Sequence, residues 1–172
     1  MRRRVMVGVF WLFGRLPRSV RRWMVRRVAP KYTVGVLCIV QRAEGSVLLV
    51  RHSYNRRWGT VGGLADRGEQ PAVCALREAR EEVGLELALV GEPAVVVGPE
   101  LRRVDVVYLA RPAREEDADL AEPTSPEILE TRWFGRGELP ELSADTASAW
   151  NALARMGVIE PPGVQPIRSL GS

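Results

Sequence analysis

The 23 residues GLADRGEQPAVCALREAREEVGL, from Gly63 to Leu85, carry the most informative pattern in this 172-residue chain. On an α-helix, Glu78, Glu81 and Glu82 stand at positions i, i+3 and i+4, so they share one face. A second set of residues follows the same helical period on a different face and is apolar: Ala72, Leu76, Ala79 and Val83. The segment therefore predicts a helix that packs through one side and presents carboxylates on the other.

The three glutamates are like charges, and each such pair weakens an isolated helix by about 0.2–0.5 kcal/mol. A sequence that keeps this arrangement is usually binding cations with it. Mg²⁺ and Mn²⁺ prefer oxygen ligands, supplied partly by protein carboxylates and partly by substrate phosphates. A metal held there neutralises phosphate charge and lowers the pKa of bound water. The pattern thus favours attack of water on a phosphoanhydride, with Mg²⁺ as the expected cofactor and Mn²⁺ as the alternative.

The segment resembles the Nudix box, G-x5-E-x7-R-E-U-x-E-E-x-G-U, in which U is a bulky aliphatic residue. The matching positions are Gly63, Glu69, Arg77, Glu78, Ala79, Glu81, Glu82, Gly84 and Leu85. Every fixed letter is present, and only Ala79 is smaller than the usual aliphatic residue. An exposed Glu/Arg helix would explain the charges, but not Gly63, Glu69 and Gly84 at their offsets. The resemblance implies an α/β fold, a Nudix-type α/β/α sandwich with a mixed sheet.

The resemblance also implies roles for residues in and beside the box. The expected metal ligands are Glu78 and Glu82 directly, Glu81 directly or through water, and the Gly62 carbonyl oxygen. Among these, Glu81 and Glu82 are also expected to take part in catalysis. The expected supporting residues brace the loop against the helix or allow its backbone to approach closely: Glu69, Arg77 and Gly63.

Outside the box, Glu127 lies six residues before Trp133. Many Nudix proteins use a glutamate at this spacing, so Glu127 is a candidate for an extra ligand or the general base. The alternative is an ordinary acidic residue in a loop. Weaker candidates for substrate binding lie before the box: Arg51, His52, Arg57 and Trp58. His52 would otherwise be a solvated loop residue, and Trp58 a packing residue.

The length and the 46% apolar content allow one domain with a substantial core. The two cysteines lack CxxC spacing and do not indicate a disulfide framework. The segments predicted as strands are Tyr32–Gln41, Val47–Arg51, Glu86–Val90, Ala94–Val97, Arg102–Ala110 and Thr131–Phe134. Loops are predicted at Tyr54–Gly62 and Arg114–Pro126, and a last helix runs to Met156 with Ser143 or Asp145 as its cap. The expected organisation is an N-terminal segment, 1–30, a Nudix hydrolase domain, 31–160, and a loose tail, 161–172.

The charge of the chain is unevenly distributed. Residues 1–31 carry ten positive charges and no acidic residue, whereas the remainder carries 15 positive and 21 negative charges. The net charge of +4 is therefore the sum of a basic segment and a body of net charge −6. Because the basic residues are concentrated at one end, the overall charge does not indicate a nucleic-acid-binding protein.

The basic segment predicts an amphipathic N-terminal helix. Its apolar run Val5–Gly14 is too short to span a bilayer, which needs roughly 20 residues. Arginines surround apolar positions at helical spacing between Leu16 and Pro30, a pattern that fits an anionic membrane surface. Two alternatives are a helix that docks on its own domain or on a second subunit, as in a homodimer, and a cleaved signal. The expected location is the cytoplasm, with peripheral contact at the inner membrane surface.

These features predict metal-dependent hydrolysis of a phosphoanhydride bond in a nucleoside diphosphate linked to another moiety. The expected substrates are a nucleotide-sugar, an ADP-ribose-like compound or a nucleoside triphosphate. One alternative is a membrane-surface pyrophosphatase that acts on a lipid or isoprenoid diphosphate. An alternative of another class is a Nudix domain that senses a nucleotide without cleaving it. The complete set of box carboxylates favours the enzymes.

Overall fold

The computed structural model describes Trp11 and residues 13–161. The chain divides into two compact units, Met1–Tyr32 and Thr33–Ser172. Most of the predicted apolar run Val5–Gly14 and the predicted tail beyond Pro161 lie outside the described residues.

The first unit contains the helix α1, Arg18–Val28, which confirms the helix predicted from the spacing of its apolar residues. Pro17 precedes it at the N-cap, and Arg26 and Arg27 occupy its last turn, where positive charge interacts favourably with the helix dipole. None of its residues is buried within the structure. The described helices include none that is both long and apolar enough to cross a bilayer.

The second unit is built on one mixed sheet. Its strands are β1, Thr33–Gln41, β2, Val47–His52, β3, Val61–Leu64, β4, Leu87–Gly98, β5, Arg103–Pro112, and β6, Ile128–Phe134. The order is β4-β5-β1-β2-β6, and β3 pairs with β1 beside β2. β1 and β5 are parallel, and the other pairs are antiparallel. The mixed sheet predicted from the resemblance is therefore confirmed.

The central strand β1 is buried on both faces. Side chains alternate along a strand, so Val36 and Val40 face one side, where they join the core cluster that includes the box helix α2, Pro71–Val83. Leu37 and Ile39 face the other side and join the cluster that includes the last helix α3, Ala144–Arg155. The sheet thus lies between two helices, and the predicted α/β/α sandwich is confirmed.

Local sequence explains where α2 begins and ends. Pro71 occupies the first turn, where its missing N–H removes no helical hydrogen bond. Gly84 ends the helix in a left-handed conformation with φ 69°, and its N–H bonds to the carbonyl oxygens of Ala79 and Arg80. Gly84, one of the fixed positions of the box pattern, therefore ends the helix in this chain.

The structure corrects the predicted loop Tyr54–Gly62, because β3 begins at Val61. Gly62 pairs with Leu37 of β1, so Gly62 lies in a strand rather than in an open loop. This pairing joins distant residues, and the glycine-rich local sequence gives no strand signal. Val61 itself is completely buried in the core.

Other elements refine the sequence prediction, and the predicted cap of the last helix is confirmed. β4 continues through Gly91 and Pro93, and the β4–β5 register shifts between Val90 and Ala94. A 3₁₀-helix, Glu115–Leu120, lies within the predicted acidic loop, and a shorter one follows β6 at Arg136–Glu138. At α3 the cap is Ser143, whose hydroxyl accepts the Thr146 N–H at 3.3 Å.

Candidate active site

A cleft of about 530 Å³ opens along the acidic side of α2. The strand β3 and the box helix supply one part of its lining, and residues after β2, before β6 and at the start of β5 supply the rest. The lining residues used below are Tyr54, Gly62, Gly63, Glu78, Glu82, Arg103 and Glu127.

Glu82 is the most buried carboxylate of this cleft, with 6% of its surface exposed. Its Oε2 accepts a hydrogen bond from the Gly62 N–H at 3.0 Å. Its Oε1 lies 3.7 Å from Nε2 of His52. A buried carboxylate without polar partners would be strongly destabilising, so these contacts fix Glu82 between α2, β3 and the end of β2.

Glu78 is placed in the cleft by the absence of a side chain at Gly63. A Cβ atom on Gly63 would lie 2.4 Å from Glu78 Oε1 and 2.5 Å from its Cδ, closer than real contacts allow. Burial raises the pKa of the Glu78 carboxyl, and the hydrogen bond from Arg77 opposes this rise. Gly63 therefore brings a carboxylate directly against the β3 backbone.

Arg77 connects three carboxylates. Its Nε and Nη2 donate to the two oxygens of Glu69 at 2.9 and 3.0 Å. Its Nη1 donates to Glu78 Oε1 and to Glu81 Oε2, both at 2.9 Å. Glu69 also accepts the Asp66 N–H at 2.9 Å, so the network ties the segment between β3 and α2 to the helix.

This network shifts the acidity of its members. The Arg77 guanidinium, followed by the Asp66 N–H, stabilises the ionised carboxylate and lowers the pKa of Glu69 to about 2. The bond to Glu69 is also the main reason that the pKa of Arg77 is raised. The geometry matches the bracing contact that the resemblance implied for Glu69 and Arg77.

The three glutamates predicted for one helix face have different surroundings. Glu78 and Glu82 line the cleft. Glu81 is exposed, and its carboxylate pairs with Arg77 across one helical turn. Helical periodicity places the three on the same side of α2, but only tertiary contacts separate the two that face the cleft from the third.

Glu127 lies outside the box and still reaches the cleft from the segment before β6. Its side chain is exposed, and its backbone carbonyl accepts the Ser53 N–H at 2.8 Å, which joins this segment to the end of β2. His52 lines a neighbouring recess of about 100 Å³, and its ring lies 5.1 Å from the ring of Tyr54.

The remaining substrate candidates lie elsewhere. Arg51 pairs with Glu130 across β2 and β6 at 2.9 Å. Arg57 pairs with Glu141 at 2.8 Å. Trp58 packs edge-on against Phe134, with ring centroids 4.9 Å apart, in the core cluster on the α3 side. None of these three side chains is among the described residues that line the cleft, so their role as substrate contacts stays a prediction.

From the sequence, Arg103 is only one of several arginines that could hold phosphate or serve solubility, and no signal distinguishes it from the others. It lies at the start of β5, and its Nε donates to Asp105 Oδ1 at 2.6 Å. β5 reaches the cleft because it pairs in parallel with β1, a contact between distant parts of the chain. Tyr54 was missed for a similar reason, since it follows β2 in an irregular segment.

The donors facing the cleft fit a hard divalent cation. They are carboxylate and backbone oxygens, and Mg²⁺ is bound by one or two carboxylates together with water and phosphate oxygens. The space left by Gly63 allows Glu78 to lie beside the strand. No group of three or more His, Cys, Asp or Glu side chains among residues 13–161 is already gathered as a metal site.

Comparison with known proteins agrees with this fold and box. The model of the NUDIX domain matches residues 31–156. The chain therefore belongs to the Nudix family, which confirms the resemblance noted in its sequence.

Its relatives include proteins of several specificities. It is 26% identical over 141 residues to the NAD-capped RNA hydrolase NudC of Mycobacterium tuberculosis, covering 81% of this chain and 44% of that protein. It is 30% identical over 129 residues to the putative 8-oxo-dGTP diphosphatase 3 of the same organism, covering 69% and 59%. The chain thus spans about half the length of the curated relatives it matches.

A solved Nudix hydrolase from Nitrosomonas europaea has the same fold. The two structures superpose with a TM-score of 0.62 at 23% sequence identity, over 77% of this chain and 75% of the other.

Proposed function

We propose that this chain is a divalent-metal-dependent pyrophosphohydrolase. It would cleave a phosphoanhydride bond in a nucleoside diphosphate linked to another moiety, such as a nucleotide-sugar, an ADP-ribose-like compound or a nucleoside triphosphate. The observation that carries this proposal is the pairing of Glu78 and Glu82 with the backbone of Gly62 and Gly63 in one cleft. The names of the two mycobacterial relatives also concern hydrolysis of nucleotide compounds.

The metal ligands in this proposal are Glu78, Glu82 and the Gly62 carbonyl oxygen, with Glu81 acting through water. A bound Mg²⁺ or Mn²⁺ supplies charge neutralisation for the phosphates and an acidified water. The Gly62 N–H holds Glu82 in place, and Arg77 orients Glu78 while it joins the helix to the preceding segment through Glu69. Precise support of this kind matters because the ligands must keep their geometry as charge develops.

Glu127 is the proposed general base. It is the exposed carboxylate that faces the cleft from outside the box, so it can accept the proton of an attacking water while the box glutamates remain ionised. The alternative assignment, an additional metal ligand, uses the same position.

A panel of substrates tests the activity. Nucleotide-sugars, dinucleotides and nucleoside triphosphates are incubated with the full chain in Mg²⁺ or Mn²⁺, and the released products are separated by chromatography. Metal-dependent release of a nucleoside monophosphate or pyrophosphate supports the proposal. Tight binding across the panel without turnover would instead identify a nucleotide-sensing domain. The Glu82→Gln variant controls for contaminating hydrolases.

We further propose that the basic segment 1–30 contacts an anionic membrane surface from the cytoplasmic side. In α1 the apolar residues Trp23, Val25 and Val28 are each more than half exposed. Arginines surround them, and the segment has no acidic residue. Basic residues near anionic lipid contribute about 1 kcal/mol each. If this attachment holds, a lipid or isoprenoid diphosphate becomes a second candidate substrate for the same cleft.

Co-sedimentation with vesicles tests the attachment. The full chain should bind vesicles that contain phosphatidylserine, bind less as salt rises, and ignore vesicles of phosphatidylcholine alone. Replacing Arg18, Arg21 and Arg22 with glutamine should weaken this binding and leave the oligomeric mass unchanged. If the parent chain does not bind vesicles and the variant loses the mass of a dimer, the segment would instead serve dimer formation.

A further inference from the structure

One arginine outside the box lines three openings of the second unit. Arg103 lines the 530 Å³ cleft beside Glu78 and Glu82. It also lines the 100 Å³ recess that contains His52, and a third recess of about 230 Å³ next to β4. Its guanidinium therefore lies where the metal-binding face meets the neighbouring space for the rest of a substrate.

The cleft contains more carboxylates than arginines, so a phosphate bound there needs positive charge beside it. Its lining contains four carboxylates and two arginines: Asp66, Glu78, Glu82, Glu127, Arg77 and Arg103. Arg77 already donates to Glu69, Glu78 and Glu81. A diphosphate carries several negative charges, and a metal on Glu78 and Glu82 would compensate those of one end. Arg103 is the other arginine of the lining, so it is the cation available to the second phosphate of the diphosphate.

The terminal nitrogens of the Arg103 guanidinium are available as hydrogen-bond donors. Its Nε bonds to Asp105 at 2.6 Å. Its Nη1 forms an ion pair with Asp145 Oδ2 at 3.7 Å, which is longer than a hydrogen bond. Within the described residues, neither terminal nitrogen of Arg103 makes a hydrogen bond. Two terminal nitrogens in one plane match the spacing of two phosphate oxygens, which is why arginine binds phosphate in a bidentate manner.

The pairing of β1 with β5 fixes the position of Arg103. Gly35 of β1 lies directly opposite Asp105 of β5 in the parallel pairing. A Cβ atom on Gly35 would lie 2.1 Å from Asp105 Oδ1 and 2.9 Å from Nε and Nη2 of Arg103. Asp105 is buried and anchors the guanidinium. An arginine that served only solubility would need neither a buried carboxylate nor a glycine opposite it.

We infer that Arg103 binds a phosphate group of the substrate and so selects diphosphates that extend beyond the metal-binding face. This inference rests on the proposed function for the identity of the cleft. One phosphate lies at Glu78 and Glu82, and a neighbouring phosphate accepts hydrogen bonds from Arg103. The moiety beyond it is directed toward the recess beside β4, which has apolar walls from Leu37, Val96 and Leu101.

A binding measurement tests this role apart from catalysis. The probe is inorganic pyrophosphate, titrated calorimetrically into the full chain in Mg²⁺, with orthophosphate release followed to confirm that the probe stays intact. The test variant is Arg103→Gln combined with Asp105→Asn, because the second change avoids a buried carboxylate without its partner. Arg111→Gln is the matched control, since Arg111 is an exposed arginine on the same strand.

The double variant should bind pyrophosphate about 10- to 100-fold more weakly, as expected when a charge-assisted bidentate contact is lost. Arg111→Gln should bind like the parent chain, and Asp105→Asn alone should bind between the parent and the double variant, because its amide oxygen can still accept the Arg103 Nε–H. The melting temperature of each variant should confirm that it is folded. Equal affinity of the double variant and the parent, or no pyrophosphate binding by the parent in Mg²⁺, would overturn the inference.

Kinetics separate this inference from the proposed activity. With a substrate from the panel and Mg²⁺, the double variant should raise KM by more than it lowers kcat, because Arg103 contacts the substrate in the ground state and the transition state alike. Pyrophosphate binding that depends on Arg103 in a chain without turnover would refute the hydrolase and retain the phosphate site. Turnover with unchanged KM in the double variant would retain the hydrolase and refute the site.

Discussion

The backbone N–H of Gly62 donates a hydrogen bond to the carboxylate of Glu82 at 3.0 Å. This contact joins β3 to α2 and partners the most buried charge in the cleft. Gly62 has φ +152°, and a Cβ atom there would lie 2.1 Å from the Val36 carbonyl oxygen. The position therefore requires glycine for two reasons, its backbone conformation and the closeness of β1.

The two neighbouring glycines should respond differently to alanine. Gly63→Ala would place a methyl group against the Glu78 carboxylate, which is a flexible side chain that can move. We expect activity to fall about 10- to 100-fold while the melting temperature changes little. In Gly62→Ala the new methyl group would collide with the backbone of β1, and the unfolding free energy should fall by about 1–3 kcal/mol. Urea unfolding and initial rates measure both effects, and equal stability loss in the two variants would contradict this explanation.

Glu82→Gln should remove metal-dependent activity without unfolding the protein. The amide oxygen can still accept the Gly62 N–H, but the negative charge for a metal is gone. Loss of a direct ligand should lower the rate by more than the roughly 100-fold that supporting residues contribute. Glu86→Gln is the control, because Glu86 is an exposed glutamate that pairs with Arg80 outside the cleft. Near-parental turnover by Glu82→Gln would show that the ligand assignment is wrong.

Arg77→Lys should behave more like Arg77→Ala than like the parent chain. The guanidinium donates through three nitrogens to Glu69, Glu78 and Glu81, and a single ammonium group cannot reproduce that geometry. Both variants should lose about 1–3 kcal/mol of unfolding free energy and about 10- to 100-fold in activity. Equilibrium urea unfolding and kcat/KM provide the measurements. Full activity in Arg77→Lys would limit the role of Arg77 to charge alone.

Acid should weaken the contact between Glu69 and Arg77 within a defined pH range. The pKa of Glu69 is lowered to about 2 in the folded chain, below the ordinary value of 4.5. The unfolded chain therefore binds the proton first as pH falls, so this contribution to stability is complete above about pH 4.5 and is lost toward pH 2. The difference in melting temperature between the parent and Glu69→Gln should shrink over that range. A difference that stays constant from pH 6 to pH 2.5 would argue against the ion pair as its source.

Glu127→Gln distinguishes a general base from a metal ligand. Removal of a general base should lower kcat by about 10²- to 10⁴-fold and abolish the acidic limb of the pH–rate profile, with the metal concentration for half-maximal activity unchanged. A ligand would instead shift that metal concentration. The exposed Glu122→Gln, in the same connecting segment and outside the cleft, serves as the control. Unchanged kinetics in Glu127→Gln would leave Glu127 as an ordinary loop residue.

The features of this protein that the sequence predicted are local ones. The helix α2 follows from the 3.6-residue period of its apolar positions, with Pro71 at its start and Gly84 at its end. The same period places Glu78 and Glu82 on one face, one turn apart. These properties depend on contacts within a few residues, so the order of the amino acids specifies them directly.

The surroundings of other residues depend on distant segments of the chain. Trp58 lies in a polar segment with the composition of an exposed loop, but Phe134 and the α3 side of the core cover it. Arg51 directly precedes His52 in sequence, but its side chain forms an ion pair with Glu130 of β6. The free energy of burial and of ion pairing depends on which strand becomes the neighbour, and local composition does not contain that information.

The sequence by itself therefore determined the family, the box helix and the shared face of its three glutamates. Tertiary structure alone decided that Gly62 lies in a strand, that Glu78 and Glu82 line the cleft, and that Arg103 reaches it. The physical reason is the pairing of β1 with β3 and β5, which brings together segments separated along the chain. Such pairing follows from the packing of the whole sheet between its two helices, and no single segment encodes it.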